Sequence, residues 1–290
     1  VMVDVLVFNG ALKSILPTSL SGVFLFITLF EFPHIIASFF MLGDSEYRST
    51  YKKVLVKNMY LFAGAVFVLT LVSVRLFFFL YIVYTLYHVV RQQFGISKFY
   101  GFEKSRFLDL YQVLFIGMGS MALLSFQIDI PQMALMIAGG TITTLTAIYF
   151  LYEKNNRKNI YLSLCVVSFC LAGIIFGLGY MVLGYLIVRI THDITAFIFY
   201  SVHNYNRKRE SDNPLYTSVL TRRISPLVVT SLLAIVLNGV YLYAMKTIPD
   251  YSLAYTVLLT LYFCLGLFHY NLEGSVWKKD SLARKYIHVA

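Results

Sequence analysis

Apolar residues fall into nine runs along the chain, each bounded by charged residues or by glycine and proline. The runs cover 15–43, 54–74, 75–95, 108–127, 131–152, 160–178, 181–204, 225–245 and 252–271. An α-helix needs about 20 mostly apolar residues to cross a hydrocarbon core. The pattern therefore predicts an all-α, polytopic transmembrane bundle of about nine spans: a single integral membrane domain over 1–290 with a basic cytoplasmic tail at 278–290. Two joins are short, one near Arg75 and one a tight turn expected at Gly177/Gly179. Pro131, Pro226 and Pro249 sit at segment ends, where proline is tolerated. Pro33 lies inside the first run and is expected to kink it.

Composition strengthens this picture. The 290 residues are 59% hydrophobic and 13% charged, against about 25% charged in soluble domains, which excludes an ordinary globular protein. Tyr81, Tyr84, Tyr87, Tyr255 and Tyr262 stand mid-segment, where they are expected to line an interior. Trp277, the single tryptophan, reads as an anchor at the membrane–water interface. Cys165, Cys170 and Cys264 lie in apolar runs without CxxC spacing, so they read as small buried hydrophobes and not as disulfides or zinc ligands. Glycines such as Gly117, Gly119, Gly139, Gly140, Gly173 and Gly177 fall within apolar helices, where they permit close packing. No phosphate-binding glycine loop, Ser-His-Asp order or nucleotide fingerprint is present. The first dozen residues lack a basic region, which argues against a retained signal peptide.

The formal charge of +10 reads as cytoplasmic loop charge and not as a nucleic-acid surface. Arg48, Lys52, Lys53 and Lys57 follow the first run, and Arg91, Lys98, Lys104 and Arg106 the third. Lys154, Arg157 and Lys158 follow the fifth; Arg207, Lys208, Arg209, Arg222 and Arg223 the seventh; Lys278, Lys279, Arg284 and Lys285 the ninth. The intervening joins hold only Arg75 and Lys246. By the positive-inside rule the N-terminus is outside and the C-terminus cytoplasmic, in a multi-pass protein of a bacterial inner or cell membrane. Membrane lipids are then its surroundings, and nucleic acid is not a partner.

This orientation gives the histidines a geometry. His34, His88, His192 with His203, and His269 lie on helices one, three, seven and nine, which all run inward, and each falls in the cytoplasmic half. His288, in the basic tail, reads as solvated. Ionisable groups at membrane depth are usually kept for binding, transport or catalysis. Glu31 and His34 are three residues apart on one helix face, a spacing also found in di-iron and di-manganese bundles. His269 and Glu273 form a second one-turn pair. Arg189 and Asp193 are four apart and able to pair, with His192 between them. His192 and His203 share a face but stand roughly 16 Å apart along the axis, so one ion cannot take both. Imidazole with carboxylate oxygen suits iron, manganese or zinc better than copper. The candidate ligands are therefore His34, His88, His192, His203 and His269, with Glu31, Asp193 and Glu273 as catalytic, ligating or orienting carboxylates. The metal expected is Fe(II), as one ion or two.

Pro33-His34, Tyr87-His88 and His192-Asp193 occur in the order and at the intervals of motifs in the bacterial Brp/Blh family of membrane β-carotene dioxygenases. The chain resembles that family, and the resemblance implies a non-haem-iron enzyme that cleaves a carotenoid. The residues themselves leave several functions open. One is a metal-dependent oxygenase or oxidoreductase acting on a lipid-soluble substrate, with an electron donor as a further partner. A second is a proton- or ion-coupled transporter that uses the intramembrane His and carboxylate groups. A third is a membrane transferase or scaffold.

Overall fold

A computed structural model describes residues 4, 10, 11, 31–99, 105–125, 128–152, 160–210, 213, 215, 224–248, 253–278 and 280–287. Residues 15–30 of the first run lie outside this set. So do Lys104, Lys154, Arg157, Lys158, Arg222, Arg223, Pro249, Lys279 and His288.

Among the described residues the regular elements are helices: α1 (Phe32–Phe40), α2 (Ser45–Val72), α3 (Val74–Phe99), α4 (Arg106–Leu124), α5 (Gln132–Tyr152), α6 (Ile160–Gly177), α7 (Met181–Glu210), α8 (Pro226–Thr247) and α9 (Leu253–Val276). Among the described residues seven apolar windows are long enough to cross a membrane: Leu55–Val72 of α2, Arg106–Leu124, Gln132–Leu151 of α5, Ile160–Gly177, Met181–Glu210, Pro226–Ala244 of α8 and Leu253–Val276. By length and composition they mark a multi-pass helical membrane protein. The expected set of nine spans is thus met in seven, with α3 outside the group and the first run described only from Glu31.

Caps explain where the helices begin. Asp44 accepts the Glu46 amide at 2.9 Å, so α2 starts at Ser45 and not at residue 54. Arg48, Lys52, Lys53 and Lys57 consequently sit on its polar first turns instead of in a loop. Ser105 caps α4 through the Leu108 amide at 3.2 Å, and Ser225 caps α8, with Pro226 in the first turn where no intrahelical donor is needed. Pro33 is the second residue of α1 and follows Glu31, whose backbone is also in the α region; the run before Glu31, where the expected kink would be read, lies outside the described residues. The α2–α3 join is a single extended residue, Ser73, whose hydroxyl accepts the Leu76 amide at 3.2 Å.

The chain divides into two compact units. The first comprises 1–24 and 78–192; the second comprises 25–77 and 193–290. In the first, α4, α5 and α6 pack on one another around Leu86, Tyr111, Phe115, Phe169 and Phe176. Glycine allows the closest approach: a Cβ on Gly139 would stand 2.6 Å from the Gly173 carbonyl oxygen. Gly117 and Gly140 face no atom within 4 Å. The α6–α7 turn closes at Gly179, whose φ of 81° is open to glycine at little cost. The Tyr180 amide there reaches the Ile175 carbonyl at 3.0 Å and the Gly179 amide reaches that of Phe176 at 2.9 Å, a Schellman stop.

In the second unit α2 packs on α9, and α1 packs on both α8 and α9. The core gathers Ala37, Met41, Tyr47, Ala196, Tyr200 and Leu272. Outward positions are apolar, as a lipid-facing surface requires: Leu61 is 64% and Val72 72% exposed. Among the tyrosines expected to face an interior, Tyr87 is instead 47% exposed. Cys165 is buried, Cys170 and Cys264 half-buried, and all three are free thiols.

Candidate functional site

Within the second unit two helices each present a pair of polar side chains one turn apart. α1 offers His34 and Ser38; α9 offers His269 and Glu273. All four are buried. Residues four apart on a helix share a face, so packing α1 on α9 turns two sequence pairs into one cluster. His34 Nε2 lies 3.7 Å from Glu273 Oε1, and His269 Nε2 lies 3.6 Å from Glu273 Oε2. The imidazole rings meet edge to face, with centroids 4.4 Å apart at 85°. Ligand atoms of His34, His269 and Glu273 all fall within 4.8 Å of one another.

Hydrogen bonding fixes the protons. The Ser38 hydroxyl donates to the Ile35 carbonyl at 2.6 Å. Its single hydrogen is thereby used, so at 2.8 Å it accepts from His269 Nδ1. In the neutral ring Nε2 then carries the lone pair, and that atom faces Glu273. On the far side of the carboxylate, Tyr200 donates its hydroxyl hydrogen to Glu273 Oε1. The Tyr200 ring also stands against His34, with centroids 5.9 Å apart. Two ligands held about 2.1 Å from one ion lie about 3.0–3.4 Å apart at right or tetrahedral angles. The observed 3.6 and 3.7 Å come within a few tenths of an ångström of that spacing.

His88 and His192 meet in the first unit, their ring centroids 5.2 Å apart at 78°. His192 is fully buried and His88 half-buried. α7 carries His192 at the end of the first unit and Asp193 at the start of the second. Asp193 is buried, as is Arg189 one turn earlier. Glu31 is also buried, at the entry to α1.

His203 belongs to a different network of the second unit. Its Nδ1 stands 3.0 Å from Asn204 Oδ1, an acceptor only, so Nδ1 donates. Nε2 therefore accepts from the Tyr47 hydroxyl at 2.6 Å. One turn on, Arg207 binds Asp44 through Nε at 3.1 Å and Nη2 at 2.9 Å and Glu46 at 2.7 Å. Its Nη1 donates to the Tyr286 hydroxyl. Both nitrogens of His203 are committed to packing partners, so it is not brought into the His34 cluster.

Three residues of consequence escape a search for histidines and carboxylates: Ser38, Tyr200 and Tyr47. Ser38 stands one turn after His34 and Tyr200 two turns after His192, so helical spacing from a histidine was the signal for these two; Tyr47, on a helix without histidine, had none. The fold defines the class, a helical multi-pass membrane protein. No protein-family model, curated protein or solved structure matches the chain.

Proposed function

We propose that His34, His269 and Glu273 hold a transition-metal ion, and that the protein is a membrane-embedded oxygenase or related oxidoreductase acting on a lipid-soluble substrate. The carrying observation is the orientation of His269. With Nδ1–H held by Ser38, its Nε2 lone pair faces a carboxylate oxygen 3.6 Å away. Two electron-rich atoms meeting in a buried site call for a cation between them. Two imidazoles and one carboxylate form the donor set of non-haem Fe(II) oxygenases, which favours iron. The bound ion would supply redox chemistry. Ser38 would fix the tautomer of His269 and Tyr200 would orient Glu273, as outer partners of metal ligands do. The apolar surroundings would exclude water and admit a greasy substrate, with a carotenoid favoured by the Brp/Blh resemblance. The topology that goes with this reading has nine spans, an outer N-terminus and a cytoplasmic C-terminus.

A proton-coupled carrier would place a proton, and not a metal, between His269 and Glu273. A charge-assisted hydrogen bond closes to about 2.7–2.9 Å, and the observed 3.6 Å favours the larger ion. Metal analysis of the purified protein decides between them. About one iron per chain is expected, lost in both His34→Ala and His269→Ala. Metal retained in both variants, or absent from the parent protein, removes this reading.

A further inference from the structure

In the first unit the end of α3 and the start of α4 enclose an open cavity of about 370 Å³. α3 lines it with Arg91, Gly95 and Lys98, spaced as one helix face, and α4 with Asp109 and Gln112. Arg91 is held loosely there. Its Nη1 stands 3.4 Å from Gln112 Oε1 and 3.8 Å from Asp109 Oδ1, both longer than the roughly 2.7–2.9 Å of a firm charge-assisted bond. Its Nε and Nη2 make no hydrogen bond among the described residues. Lys98 is exposed and has no ion-pair partner among the described residues. Two cations against one carboxylate leave the lining with a single positive charge in excess. At Gly95 a Cβ would meet no atom within 4 Å, so the glycine keeps the cavity clear. One turn further into each helix the surface becomes apolar: Tyr87 precedes Arg91 and Val113 follows Asp109, both exposed. A turn beyond Val113, Gly117 also faces no atom within 4 Å.

We propose that this cavity binds the phosphate of an anionic phospholipid of the phosphatidylglycerol type. Arg91 offers a planar fork of donors to two phosphate oxygens, and Lys98 a point charge beside them. A phosphodiester carries one negative charge, which matches the excess of the lining. Asp109 opposes a second negative charge, so a phosphodiester suits the site better than a doubly charged phosphate. The apolar strip along Tyr87, Val113 and Gly117 gives an acyl chain a track that a free phosphate would leave unused. Basic pockets between membrane helices hold headgroups in this way. On the topology proposed above this end faces the cytoplasm, so the lipid comes from the inner leaflet. The inference stands apart from the metal reading, because none of these residues belongs to the His34, His269 and Glu273 set.

The test is native mass spectrometry of the full chain in detergent, titrated separately with phosphatidylglycerol, phosphatidylcholine and inorganic phosphate. Phosphatidylglycerol should fill one site per chain ahead of phosphatidylcholine, and excess inorganic phosphate should not displace it. Arg91→Gln and Lys98→Gln should each weaken that site about tenfold, the loss expected for one hydrogen bond to a charged group. Gly95→Leu changes no charge but fills the cavity, and should weaken binding at least as much. Its new side chain starts in open space, and leucine favours helix over glycine, so a thermal melt should show the fold retained. Lys52→Gln, which removes an exposed cation from α2, should leave the site unchanged. Equal affinity for phosphatidylglycerol in the parent protein and in Gly95→Leu overturns the site, as does equal loading of the two lipids. Displacement of the lipid by inorganic phosphate overturns its assignment to a phospholipid.

Discussion

His269 Nδ1 stands 2.8 Å from Ser38 Oγ, and the only hydrogen Ser38 owns is already given to the Ile35 carbonyl. The serine therefore sets the histidine tautomer across 231 residues of sequence. Ser38→Ala frees the ring to rotate or to move its proton to Nε2. Metal affinity should then fall about 10–100-fold, as it does when outer partners of ligands are lost, whereas Ser38→Thr should retain most of it. Competition against a chelator of known affinity measures both.

Acid should release the ion. Metal binding requires neutral imidazoles and an ionised carboxylate, so protons compete with it. Lowering the pH should weaken binding to the His34, His269 and Glu273 set, and raising it again should restore binding. Titration of iron content against pH in detergent checks the sign; affinity that rises toward acid pH would contradict the ligand set.

The Asp44–Arg207 pair predicts a loss of stability without loss of the site. Both side chains are almost wholly buried, 0% and 5% exposed, and Asp44 also caps α2. Asp44→Ala would take the buried carboxylate from the guanidinium, leaving it only the half-exposed Glu46 as a charged partner, and would remove the cap. Breaking a buried pair by removing one partner costs about 3–5 kcal/mol, so thermal unfolding in detergent should shift strongly downward. Iron per folded molecule should not change.

Two glycines give a matched comparison. Gly139→Ala forces a Cβ to within 2.6 Å of the Gly173 carbonyl oxygen, a backbone atom that cannot turn away, and should destabilise the first unit by about 1–3 kcal/mol. Gly140→Ala meets nothing within 4 Å and should be neutral or slightly stabilising, since alanine favours helix over glycine by about 1 kcal/mol. Equal behaviour of the two in a thermal melt would contradict the α5–α6 packing.

The ionisable part of the site could be read from spacing, because His269 and Glu273 share a face for reasons internal to one helix. Helix positions were legible for the same reason, down to the glycine turn after α6. The ends were less so: α2 begins nine residues before the apolar run at 54–74, and α7 runs on through Arg207–Arg209 to Glu210, because caps and ion pairs hold polar turns helical where hydropathy has already failed. What spacing could not convey is which helices meet. Nothing in the local sequence of Ser38 announces His269, and His203 shares a face with His192 on α7 yet turns to Tyr47 and Asn204.

The second unit is split in sequence, 25–77 on one side and 193–290 on the other, with 78–192 between them. A ribosome therefore delivers His34 to the bilayer long before His269 and Glu273 exist. Residues 78–192 can begin to pack among themselves while the earlier segment waits for its partners. The cluster is completed only when α9 has been inserted, so the proposed ion can be loaded no earlier than that.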